Sequence, residues 1–198
     1  FAPLVMRMRA FFEPVLEPFV IHYYVNAGFL PKDHWTHDPV EGGGRIIGEM
    51  CHFIDTVQYL TGAMPLRLSA ECIATDNEAA TAEDNLSVTL RMSDGSVANI
   101  IYTANGDPSF PKERIIASNA GATAVMNNFT ILEMYRNGKR SVAKSPGDKG
   151  HANEVRAFID AIKQKRTEVI PFTSMVATTR ATFRIRDALH EKRVIELI

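Results

Sequence analysis

The apolar positions change period along this chain, and the changes mark its elements. Leu86, Val88, Leu90 and Met92 alternate with Ser87, Thr89 and Arg91, the two-residue period of a strand with one covered face. Asp94-Gly95 supplies a turn, and Val97 to Tyr102 reads as the returning strand. Further hairpins are expected from 113–118 and 122–126 around Asn119-Ala120-Gly121, and from 130–135 and 139–143 across Asn137-Gly138. Aromatic and β-branched residues predict strands at 19–25 and 66–75. Elsewhere the period is 3.6. Residues 3–12 predict a short helix that tolerates Pro3 at its start and is closed by Pro14 and Pro18. Ile46, Met50, Phe53, Val57 and Leu60 form one apolar stripe of a helix ending near Gly62. After the polar stretch 145–150, Val155, Phe158, Ile159 and Ile162 mark another helix, and a last one runs from about Ser174 to His190. The tail, Arg193 to Ile198, predicts a final strand. The order gives an α+β class: one domain over 1–198, an open, mostly antiparallel sheet with helices on one face.

Composition narrows the function classes. A net charge of −1 offers no footprint for nucleic acid or an anionic membrane surface. No apolar run reaches the roughly 18–20 residues of a spanning helix, and no signal-peptide pattern opens the chain. Cys51 and Cys72 stand apart in unlike contexts. They predict reduced thiols in a cytoplasmic protein rather than a disulfide scaffold. The chain starts at Phe1 without Met and reads at once as helix, so an excised domain or fragment is expected.

The chemistry concentrates on the helix after Gly42-Gly43-Gly44. Opposite its apolar stripe lie Glu49, His52, Asp55, Thr56 and Tyr59, a face with no Lys or Arg. A histidine between two carboxylates suits the floor of a site. Before it, residues 26–44 form a long loop rich in Gly, Pro, Asp and His that holds Trp35, the only tryptophan. Loops of this length are more often functional than idle. The chain has no G-x-G-x-x-G opening a βαβ unit, no P-loop and no G-x-S-x-G elbow. The glycine run serves either a tight turn or an anion at the helix N-terminus. His34-x-x-His37 with Asp33 and Asp38 has metal-like spacing, but it lies in a loop without a Cys pair, so no metal site is expected.

Trp35, Asp38, Gly42-Gly43-Gly44 and the helical pair His52 and Asp55, together with the later run Gly150 to Ile162, resemble the C-terminal domain of the Gfo/Idh/MocA family. The resemblance covers essentially the whole chain. It implies an NAD(P)-dependent oxidoreductase of sugars, inositols or related polyols. In that family an N-terminal Rossmann domain binds the NAD or NADP and supplies a lysine from a Glu-Lys-Pro motif. The C-terminal domain lines the substrate site and makes oligomer contacts. Only the second domain matches here, so the isolated chain is expected to be inactive and the protein to be a homodimer or homotetramer. The family pattern places an aspartate four residues before the histidine; this chain has Gly48 there and Glu49 next to it.

The resemblance implies that His52 is the acid/base, or orients the hydroxyl for it, while the missing lysine polarises the oxygen. Histidine suits proton transfer near neutral pH. Glu49 is expected to act on His52 or to bind a substrate hydroxyl. Arg45 is a substrate anion contact or a solvated charge, and Lys32 a carboxylate or phosphate grip or a surface lysine. Trp35 packs on a sugar ring or on the loop base. Asn26 and Tyr24 are further hydroxyl contacts, and Asp55 contacts substrate or braces a neighbouring loop. The rival reading is a non-catalytic sugar-binding or assembly module.

Overall fold

The computed structural model describes residues 1–13, 17–77 and 81–197. In chain order the elements are α1 (Pro3–Phe12), β1 (Val20–Asn26), α2 (Arg45–Thr61), β2 (Pro65–Cys72), β3 (Asn85–Met92), β4 (Val97–Thr103), β5 (Glu113–Asn119), β6 (Ala122–Asn127), β7 (Ile131–Arg136), β8 (Lys139–Lys144), α3 (His151–Lys163), α4 (Phe172–Glu191) and β9 (Ile195–Glu196). The expected α1 closure at Pro14 lies outside the described residues. Short 3₁₀ turns at Trp35–His37 and Ala82–Asp84 complete the set.

Nine strands form one open sheet in the order β8-β7-β6-β5-β1-β4-β3-β2-β9. Neighbours are antiparallel except β1 and β4, which run parallel with Val20 opposite Val97. The three hairpins form where turn chemistry placed them. Asn137 and Gly138, and likewise Ala120 and Gly121, take positive φ, the pair of left-handed conformations a two-residue hairpin turn needs. Two strand expectations run long. β2 stops at Cys72, since Ile73 pairs only once more, to Asn85 O. The tail contributes only Ile195–Glu196, enough to cover the β2 edge.

Strand alternation puts Ile21, Tyr23 and Val25, Val88, Leu90 and Met92, and Ala98, Ile100 and Tyr102 on one face, all buried. The apolar stripe of α2 packs there: Ile46, Met50, Phe53, Val57 and Leu60 are buried, as expected, and Ile54 joins them. Each such side chain contributes about 1.5–3 kcal/mol. Leu4, Val5, Met8 and Phe12 of α1, and Ala181, Ile185 and Ala188 of α4, complete the same core. Gln58 Nε2 donates to Thr178 Oγ1 and to Ser174 O, tying α2 to α4. Gly62 closes α2 in the left-handed conformation. On the other sheet face, which also carries half-buried Ile101 and Ile116, Asn99 Nδ2 donates to Ser87 Oγ at 2.9 Å.

Candidate functional site

The loop that delivers the chain to α2 is built on its own backbone. Gly42 and Gly43 donate to Asp38 O at 3.0 and 2.8 Å, and Gly44 donates to Thr36 O at 2.8 Å. A Cβ on Gly42 would lie 2.4 Å from Thr36 O, so only glycine passes there. Asp38 Oδ1 accepts from Val40 and Glu41 amides at 2.7 and 2.8 Å. Those amides, Glu41 first, hold its carboxyl below the usual range. The glycine run is therefore a tight turn whose own three amides are engaged.

The loop is pinned at two further points. His37 Nδ1 lies 3.0 Å from Pro31 O, and its Nε2 lies 2.9 Å from Asp84 Oδ2. Arg45, the first residue of α2, is 5% exposed. Its Nε donates to Glu49 Oε1 at 3.1 Å, and its terminal nitrogens donate to Gly28 O at 2.6 Å and Ala27 O at 3.2 Å. The guanidinium lies over the Tyr102 ring, 5.2 Å from its centroid. Of the two roles expected for Arg45, the solvated charge is corrected: the loop folds back over the helix start and brings carbonyls to the two terminal nitrogens, while the Glu49 carboxylate meets Nε.

Glu49, His52 and Asp55 do share the outer face of α2. The Glu49 side chain stays 30% exposed beyond its bond to Arg45. His52 is exposed, and its ring is edge-on to Phe53 at 6.4 Å. Burial pushes the Asp55 carboxyl up, and the neighbouring His52 works against that shift. Gly48, one turn before His52, is exposed, with nothing within 4 Å of an added Cβ. Cys51 is half-buried behind this face, and burial pushes its thiol up.

The other expected site residues are dispersed. Asn26 Nδ2 donates to Asp107 O at 2.7 Å and Phe110 O at 3.3 Å, which turns it toward the β4–β5 loop. Tyr24 sits on the opposite sheet face, edge-on to Phe110 at 5.6 Å. Lys32 is exposed on the loop. Trp35 is 61% exposed, with His34 tilted beside it at 5.9 Å, so it does not fill the loop base. His34 and His37 turn to different partners, Thr36 and Asp84. Among the described residues no group of three His, Cys, Asp or Glu side chains is placed to hold a metal.

Tyr102 escaped sequence reading. It is almost fully buried, and its hydroxyl makes no well-aligned hydrogen bond. Burial first, then the adjacent Glu49 charge, hold its phenol far above the ordinary range. Its inward place in the β4 alternation was legible; the cation above it was not.

Comparison with curated protein sequences finds no match. Solved structures are similar in fold at low identity. An aldose-aldose oxidoreductase from Caulobacter crescentus, complexed with glycerol, superposes with a TM-score of 0.81 at 14% identity over 97% of this chain and 60% of that one. A levoglucosan dehydrogenase complexed with NADH and levoglucosan gives 0.78 at 15% identity, covering 99% and 63%. A transcriptional regulator from Kluyveromyces lactis gives 0.74 at 13% identity, covering 98% and 60%. The chain thus spans about three fifths of the length of these structures. The sequence profile described as the GFO/IDH/MocA C-terminal domain matches residues 17–127, from just before β1 to the end of β6. That match covers more than half of the 198 residues, and the chain belongs to this family of C-terminal domains.

Proposed function

We propose that this chain is the substrate-facing and oligomerisation domain of a cytoplasmic NAD(P)-dependent dehydrogenase of sugars or polyols. The observation that carries the reading is the outer face of α2, where an exposed His52 stands between the carboxylates of Glu49 and Asp55. An NAD or NADP fits another domain rather than this one, because the glycine amides are engaged with Asp38 and Thr36 carbonyls. When bound, such a cofactor takes the hydride from the alcohol carbon. The part of this chain is the proton. His52 accepts the hydroxyl proton as the carbonyl forms, and Glu49 accepts a hydrogen bond from a neighbouring hydroxyl. Asp55 balances the imidazolium that results.

Lys32 and Trp35, on the exposed loop beside α2, form the outer rim for the substrate. The two free cysteines support a reducing compartment. The sheet face opposite the helices, with Ile101, Ile116 and exposed Val20, supports burial against a second copy as a homodimer or homotetramer. Replacing His52 with Ala in the full-length protein is expected to slow turnover by about 10²–10⁴-fold. Unchanged turnover overturns the assignment.

Gly48, where the family pattern carries aspartate, favours a second reading as a non-catalytic sugar-binding or assembly module. The full-length protein would then bind a polyol without reducing NAD(P)⁺.

A further inference from the structure

A cation in the first turn of a helix opposes the helix dipole, and a buried guanidinium is unfavourable unless its donors are answered. Arg45 stands in that position, and each of its nitrogens donates to a partner. Two of the partners are the carbonyls of Ala27 and Gly28, where the 27–44 loop leaves β1. The third is Glu49, one turn along α2 on the flank of the face that carries His52. The Tyr102 ring supports the guanidinium plane from beneath. One side chain therefore fixes the loop mouth and a partly exposed carboxylate in a single frame.

An apolar residue could fill the same space with less desolvation. What it could not do is orient Glu49. A lysine would offer one point of charge in place of a planar fork. We propose that Arg45 is a positioning residue: it acts through Glu49 and the loop mouth, holding the carboxylate where a substrate hydroxyl meets it. This deepens the dehydrogenase reading and rests on it. Because Arg45 is enclosed, it touches no substrate itself, and its loss acts on substrate binding while His52 remains in place.

The test uses the full-length protein and a polyol that it oxidises. Arg45→Met is expected to raise KM about tenfold while kcat stays within about threefold, the signature of lost uniform binding through one charge-assisted contact. Arg45→Lys is expected to recover part of that loss. If Arg45 acts through Glu49, the Arg45→Met/Glu49→Gln double variant is no worse than the poorer single variant. Multiplying effects, or a folded Arg45→Met with unchanged KM, overturn the proposal.

Amide hydrogen exchange provides a readout independent of turnover. Loop residues 28–44 are expected to lose protection in Arg45→Met and to regain part of it in Arg45→Lys. Unaltered protection overturns the proposal even if no polyol is oxidised. A wild-type protein that oxidises none refutes the dehydrogenase reading instead.

Discussion

His37 Nε2 lies 2.9 Å from Asp84 Oδ2 across 47 residues of sequence, and both side chains are largely enclosed. The other ring nitrogen faces the Pro31 carbonyl at 3.0 Å. An acceptor stands at each ring nitrogen, so the imidazole is held at both ends. The pair staples the middle of the 27–44 loop to the 3₁₀ turn ahead of β3.

Replacing His37 with Leu leaves the Asp84 carboxylate buried without its partner. The expected cost is about 3 kcal/mol, read as a lower urea midpoint. An unchanged midpoint shows that the staple contributes nothing.

Two glycines of one motif are expected to respond in opposite directions. Gly48 lies inside α2 in open space, so Gly48→Ala is expected to stabilise by about 1 kcal/mol, or roughly 2–4 °C in Tm. At Gly42 a Cβ would sit 2.4 Å from Thr36 O, and Gly42→Ala is expected to destabilise by about 1–3 kcal/mol. Thermal melts of both variants check the pair. If Gly48 also leaves room for substrate, Gly48→Ala stabilises and weakens binding together.

Asp55 gives a pH dependence with a definite sign. Burial raises its carboxyl above the ordinary 3.8, so the folded state holds the proton more tightly than the unfolded chain. Stability from this group falls as pH rises past that ordinary value, and the penalty persists at neutrality. Asp55→Asn is therefore expected to gain stability over wild type at pH 7 and to gain none near pH 3. Urea titrations at the two pH values decide it, and equal gains at both would refute it.

Tyr23 donates to Glu113 Oε2 at 2.6 Å, and Lys149 donates to the other oxygen at 2.7 Å. Burial first, and then the Glu113 charge, hold the Tyr23 phenol well above its usual range. The unfolded chain ionises this phenol near pH 10, so stability is lost as pH rises through that value. Below the alkaline unfolding transition, Tyr23→Phe is expected to leave the phenolate absorbance change intact. A smaller change would mean that Tyr23 ionises in the native fold.

What could be read from the residues was local. Asn137-Gly138 and Asp94-Gly95 declare their turns within four residues, and the α2 stripe declares its buried side within five turns. The placement of β1 was not legible. Its partners are a strand that starts more than seventy residues later and another after that, and nothing in Val20–Asn26 specifies a parallel neighbour. The same division runs through the site. His52, Glu49 and Asp55 share a face by spacing alone. The Arg45 contacts depend on carbonyls at 27 and 28, and Asp84 reaches His37 only because the fold closes. Asn26 stood at the right strand end, yet its amide is drawn to carbonyls of a loop that no period announces.

The central place of β1 has a consequence for how the chain is made. β5 to β8 pair each with the next as they emerge, and so do β2 to β4. β1 is synthesised before any of them and joins the two groups. Phe19, at its edge, waits for Ser96, 77 residues later. At ribosomal speed that is about 4–15 s. For that interval Val-Ile-His-Tyr-Tyr-Val stands with both edges open, a segment of the kind that chaperones hold and that strand-to-strand aggregation recruits. The keystone of the finished sheet is the nascent chain's most vulnerable stretch.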